Sequence, residues 1–185
     1  MPRAEASARI VVAAIDLGTS RGVGALTLQA VADAAGVSKA LVLYHFHDKP
    51  GLLSALARAI GEALDARMRD AAQATDSDRA WRALARDECA RGEAALWSAL
   101  LLDPDVPAAV IEEGRAARAA TATRLAGRLL GAIGLRSRVP PEFLGRMLLR
   151  ELDGLTLAAR RAGLRGDGLE AELDAVTLAI LALGS

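Results

Sequence analysis

Residues 38–49 read Ser-Lys-Ala-Leu-Val-Leu-Tyr-His-Phe-His-Asp-Lys, and they hold both lysines, the single tyrosine and both histidines of this 185-residue chain. Every other basic residue is arginine, and the remaining aromatics are Trp81, Trp97 and Phe143. Hydroxyl, ammonium, imidazole and phenol groups gathered in so short a stretch are the donors that nucleic-acid contact uses. Metal chemistry fits poorly. His45 and His47 stand at i, i+2 on a helix end and point in different directions, with no cysteine or carboxylate cluster at ligand spacing. Catalytic signatures are missing too: there is no glycine-rich phosphate loop, no Gly-x-Ser-x-Gly elbow and no His-Glu pair at metal spacing. With both histidines spent in this window, the larger part of the chain has no histidine acid–base. Glu112-Glu113 and Asp87-Glu88 read as solvated helix faces. The expectation is a protein without metal or cofactor that is not an enzyme.

The elements that must position these residues are helices. Apolar positions Ile10, Val11, Ala14, Ile15 and Leu17 mark one face of a first helix over residues 6–20. Gly22-Val23-Gly24 ends it. Thr27 caps a second helix with Leu28, Val31 and Ala35 inward. Gly36 supplies a turn, Val37 plugs the space beside it, and Ser38 caps a third helix that buries Leu41 or Val42 with Phe46. Two short helices joined by a tight glycine turn, with polar groups on the second, read as a helix-turn-helix. Asp48 caps a fourth helix over about residues 50–74, with Pro50 in its first turn. Further helical pattern covers residues 76–102, 108–130, 141–162 and 169–183, interrupted by Asp103-Pro104-Asp105, Pro107 and a loop over 134–140.

Composition agrees with an all-α fold. Apolar residues make up 52% and aromatics only 3%, so the core is built from Leu, Ala, Val and Ile, most of them good helix formers. Net charge is zero, and residues 1–50 carry five basic against four acidic side chains, so bulk electrostatics gives no support to polyanion binding. Local geometry has to carry that argument. A single cysteine, Cys89, excludes an internal disulfide and fits a reducing compartment. No signal peptide is visible, and the apolar runs at 94–102 and 175–183 are short of the ~20 residues a membrane span needs. A cytoplasmic protein without membrane contact is expected.

At this point the chain resembles the TetR family of transcriptional regulators. The resemblance rests on Gly22, Thr27, Val31-Ala32, Ala35-Gly36-Val37-Ser38, His45-Phe46 and Lys49-Pro50-Gly51-Leu52, at the family's spacing over residues 9–53. It implies an N-terminal three-helix helix-turn-helix domain, residues 1–50, that binds double-stranded DNA. A C-terminal helical bundle, residues 51–185, would bind a small-molecule effector and dimerise. The chain departs from the family at Leu43, where a phosphate-binding tyrosine is usual and the tyrosine falls one residue later. It departs again at Gly18, where a large aromatic is usual, and this predicts a thinner core beside helix one.

The candidate DNA contacts are Thr27, Gln29, Ser38, Lys39, Ala40, Tyr44, His45 and Lys49. Thr27 and Lys49 lie at helix N-termini, where free N–H groups favour a phosphate. Lys39, flanked by Ser38 and Ala40, suits a guanine edge or a phosphate, and Gln29 an adenine. Tyr44 suits backbone or a thymine methyl. His45 is a supporting contact by resemblance, and His47 reads as a bystander. One such unit offers only ~600–1,000 Å² to DNA, so a twofold dimer reading a palindromic operator is expected. Leu144, Leu148, Leu152 and Leu155, with Gly145 and Gly154, form one apolar stripe; Leu173, Val176 and Ile180 form a second. Both are assigned to the homodimer interface, though each could serve a core within one chain. Trp81, Cys89, Leu96, Trp97 and Leu100 are the candidate effector contacts, with the tryptophans lining a pocket or only the core. The function implied is a ligand-responsive regulator, a repressor by the family's common mode. The alternative is a helical protein-interaction bundle without specific DNA binding.

Overall fold

The computed structural model describes residues 3–185 and contains nine α-helices among them. They are α1 (Arg3–Arg21), α2 (Leu28–Ala35), α3 (Lys39–Phe46), α4 (Lys49–Gln73), α5 (Ser77–Arg91), α6 (Glu93–Leu100), α7 (Ala108–Gly131), α8 (Pro141–Ala162) and α9 (Gly166–Leu181). The chain packs as two compact units. The first runs up to Glu62 and takes in Leu96–Gly114; the second comprises Ala63–Ala95 and Arg115–Ser185. The N-terminal half of α4 packs with the first unit.

In the first unit, α1 buries Ala6, Ile10, Ala14 and Gly18, an unbroken i, i+4 row. Gly18 is a compact contact rather than a thin spot. A Cβ placed there would stand 2.7 Å from Leu96 Cδ2, so the α6 leucine occupies the space expected for an aromatic. Val31, Ala32, Val42, Phe46, Leu52, Leu53, Leu56 and Ile60 are among the residues buried on α2, α3 and α4.

The helix expected over 76–102 is two helices. Gly92 adopts a left-handed conformation (φ +77°) and its N–H bonds back to the Glu88 carbonyl, ending α5 before α6 begins. The apolar pattern continues across the break, which is why periodicity alone runs through it.

The second unit is organised around Trp81, Leu84, Leu125, Leu129, Leu144, Leu148, Leu152, Leu155, Leu173, Val176 and Ile180. Gly145 of α8 lies against Thr123 of α7 so closely that any Cβ would collide with it. Arg82 and Arg86 of α5 reach Asp174 and Glu170 of α9 at 2.8 and 2.6 Å. Glu88, expected on a solvated face, is 1% exposed and ion-paired. Its carboxylate accepts from Arg67 Nε at 2.6 Å and from Nη2 at 3.1 Å, and the same Nη2 donates to Glu93 at 2.7 Å. Among the described residues, no helix is long and apolar enough to cross a membrane.

Candidate nucleic-acid interface

Local hydrogen bonding shapes α2, the turn and α3. Thr27 Oγ1 accepts from Ala30 N at 3.1 Å and Ser38 Oγ from Leu41 N at 3.2 Å, so both side chains cap as their positions suggest. Gly36 has φ +62°, and Val37 N donates to the Ala32 carbonyl, closing the turn. The end of α3 is less ordinary. His47 has φ +68° and ψ −51°, and Asp48 N bonds to the Phe46 carbonyl at 2.9 Å across it. This is a γ-turn held by a non-glycine residue, a strained conformation. Asp48 Oδ1 then caps α4 through Gly51 N at 2.7 Å. Gly51 is required here, because a Cβ would overlap the Phe46 carbonyl oxygen.

The outcome is a short helix with two sharply different sides. Val42 and Phe46 are buried, whereas Ser38, Lys39, Ala40, Leu43, Tyr44 and His47 are exposed. Lys39 and Leu43 are one turn apart, as are Ala40 and Tyr44, so all four share the outer face. Leu43 is 37% exposed and is not among the buried core residues. The shift of the tyrosine by one position therefore keeps it on the exposed face. Tyr44 meets the half-buried His45 ring edge-on, with centroids 5.3 Å apart.

Two other candidates are engaged. Gln29 is exposed on α2, and its Nε2 donates to Asp33 Oδ1 at 2.7 Å. Lys49 Nζ donates to Asp105 Oδ2 at 3.0 Å. Its pKa is raised, chiefly by that hydrogen bond, so the ammonium is held charged. Asp105 is in turn fixed by its own N–H, which donates to Asp103 Oδ1 at 3.0 Å. In the sequence Asp103-Pro104-Asp105 reads only as a helix break. Nothing local links it to Lys49, 56 residues away.

The five candidate effector contacts do not form one group. Trp81 and the half-buried Cys89 belong to the second unit's core; Leu96, Trp97 and Leu100 are buried in the first unit. The outer carbons of the Trp97 six-membered ring lie against two glycines, and a Cβ on Gly61 or Gly114 would come within 3.0 or 2.5 Å of them. Trp81 is fully buried, and its indole N–H has no hydrogen-bond partner among the described residues. Burial, reinforced by Glu88, pushes the Cys89 thiol up, which favours the protonated form.

The seven residues assigned to a dimer interface pack inside the single chain, the alternative that the apolar stripes also allowed. Leu144, Leu148, Leu152, Leu155, Leu173, Val176 and Ile180 are all buried within the single chain's core, and Gly145 is used against α7. A side chain already removed from water has no area left for a partner. The opposite faces are the free ones: Phe143, Gly154 and Leu157 on α8, and Ala171, Ala175 and Leu178 on α9, with Leu178 65% exposed.

Comparison with known proteins bears on this arrangement. Residues 10–56 match the model of the bacterial regulatory proteins of the tetR family. Among solved structures, a transcriptional regulator from Rhodococcus sp. Rha1 superposes with a TM-score of 0.77 at 24% identity, over 96% of this chain and 97% of that one. Reduced NemR from E. coli gives 0.76 at 14% identity over 97% of both chains. The regulator FadR from Bacillus subtilis, solved with stearoyl-CoA, gives 0.71 at 13% identity over 95% and 97%. At such identities the likeness establishes a common fold. No curated protein matches the sequence.

Proposed function

We propose, taking as premise that this is a TetR-family transcription regulator in its fold and in its residues 10–56, that it represses by binding a palindromic operator as a homodimer. A small, largely apolar effector releases it. The observation that carries the reading is the two-sided α3: Val42 and Phe46 anchor it while Lys39, Ala40, Leu43 and Tyr44 stand together on the outside. Lys39 suits a guanine edge or a phosphate, and Leu43 and Tyr44 suit thymine methyls. Thr27 at the start of α2 offers a phosphate the helix N-terminus. Leu43 is on this view a base contact, and the missing phosphate tyrosine is compensated by specificity.

The dimer contact is assigned to the outward faces of α8 and α9. Leu178→Arg should convert the dimer to monomer by sedimentation and weaken operator binding together with it. An unchanged dimer would place the contact elsewhere.

For the effector, the position favoured is that of Trp97, where the neighbours Leu96, Leu100, Gly61 and Gly114 carry no charge. FadR, with its stearoyl-CoA, is a relative in fold whose ligand has a long apolar chain. Gly61 and Lys49 lie on the same helix, about 18 Å apart at 1.5 Å per residue, so repacking of Trp97 can move the head of α4. The effector must bind the two poses with different affinity for release to follow. In a Trp81→Phe variant Trp97 is the only indole, and its fluorescence should respond to stearoyl-CoA or a medium-chain fatty acid.

The deciding experiment is binding of the full chain to duplex DNA from upstream of its own gene, across salt concentrations. Salt-dependent, sequence-preferring binding is expected. Its absence would sink the reading and leave a protein-interaction bundle.

A further inference from the structure

We propose that Asp105 sets the strength of this chain's grip on DNA by holding Lys49, whose ammonium can satisfy the Asp105 carboxylate or a backbone phosphate. The inference rests on the DNA-binding reading above. Lys49 opens α4, immediately after the Asp48 cap, where the helix N-terminus itself favours an anion. Its Nζ is 3.0 Å from Asp105 Oδ2, and the two side chains are 42% and 40% exposed, so an incoming phosphate can reach the pair. Asp105 is no casual neighbour. The Asp103 side chain accepts its N–H and fixes the turn, and Asp103 adds its own negative field at Lys49.

The choice of residue fits an exchange of partners. Only two basic residues in the chain are lysine, both within the candidate interface. An ammonium with freely rotating donors changes partners more easily than an arginine fork locked to a carboxylate. An ion pair this exposed is weak, so DNA can displace Asp105, but the exchange subtracts from the affinity. Lys49 is thereby a damped contact in the natural chain.

The test compares the full-length protein with Asp105→Asn, Lys49→Gln and the double variant on the same upstream duplex, at about 50 and 200 mM salt. Asp105→Asn should bind about two- to five-fold more tightly at low salt. The gain should shrink at high salt, where the exposed pair in the natural protein is already screened. Lys49→Gln should bind more weakly, and Asp105→Asn should add nothing in that background. Reductive methylation with ¹³C gives a second readout, since only two lysine side-chain signals arise. The Lys49 signal should shift on Asp105→Asn, and again when DNA is added to the natural protein. Weaker binding by Asp105→Asn would make Asp105 a support for the interface and overturn the proposal. An equal gain in the Lys49→Gln background would overturn it as well, by reducing the effect to removal of a negative charge. Failure of the unsubstituted protein to bind any duplex would instead remove the DNA-binding reading and this proposal with it.

Discussion

Replacing Arg67 by alanine tests the buried charge cluster of the second unit. Glu88 is 1% exposed and receives two hydrogen bonds from the Arg67 guanidinium, at 2.6 and 3.1 Å. Burial opposes the charge on Arg67, but the Glu88 and Glu93 carboxylates outweigh that and hold it protonated. Alanine leaves a carboxylate in the interior with neither counter-charge nor these donors, a loss of about 3–5 kcal/mol. That is a large part of the roughly 5–15 kcal/mol by which domains are stable. At about 2–4 °C per kcal/mol for a chain of this size, Tm should fall by roughly 6–20 °C. The double change Arg67→Met with Glu88→Met removes both charges at similar volume and should lie between neutral and about 4 kcal/mol more stable. Glu93 is nearer the surface and can turn to water. Urea and thermal unfolding by circular dichroism, at one fixed protein concentration because dimerisation adds to stability, measure both. A cost below about 1 kcal/mol for Arg67→Ala would refute the reasoning, since Glu88 would then have to be hydrated or neutral in the folded chain.

Lys39→Ala should weaken the best operator by about 1–3 kcal/mol and relax discrimination at one base pair. Equal losses on every sequence would reduce Lys39 to a phosphate contact. His47→Gly relieves a strained γ-turn backbone worth about 1–3 kcal/mol and gives back about 0.4–1 kcal/mol in unfolded-chain entropy. Chemical denaturation should therefore find the variant slightly more stable, and a less stable one would mean that the His47 side chain makes a stabilising contact of its own. Burial raises the Glu88 pKa, with Arg67 pulling partly back, so the folded chain keeps a proton there at pH values where the unfolded chain has lost it. Stability attributable to Glu88 therefore grows as pH falls from above its raised pKa toward the ordinary carboxylate range, and is lost as pH rises. Glu88→Gln should lack that component, and identical pH profiles for the two proteins would contradict the shift.

The part of the molecule legible in the chain alone is the part built from interactions reaching about five residues or fewer. Thr27, Gly36 and Ser38 act as caps and turn because their partners, Ala30, Ala32 with Asp33, and Leu41, are neighbours in the chain. The outward placement of Lys39 and Tyr44 follows from helical period once Val42 and Phe46 are inside. Tertiary structure decided what stands opposite each face. An amphipathic stripe on α8 or α9 says that a side is buried but not against what, and the seven residues read as a dimer contact turned out to face their own core. Leu96 filling the space beside Gly18, Glu88 meeting Arg67, and Asp105 holding Lys49 join residues from distant helices and loops. Such pairings depend on how helices dock, and no periodicity in the chain encodes them. The exposed face of α3 was thus legible residue by residue, while the ion pair at the head of α4 became visible only when the chain had folded Asp105 back onto Lys49.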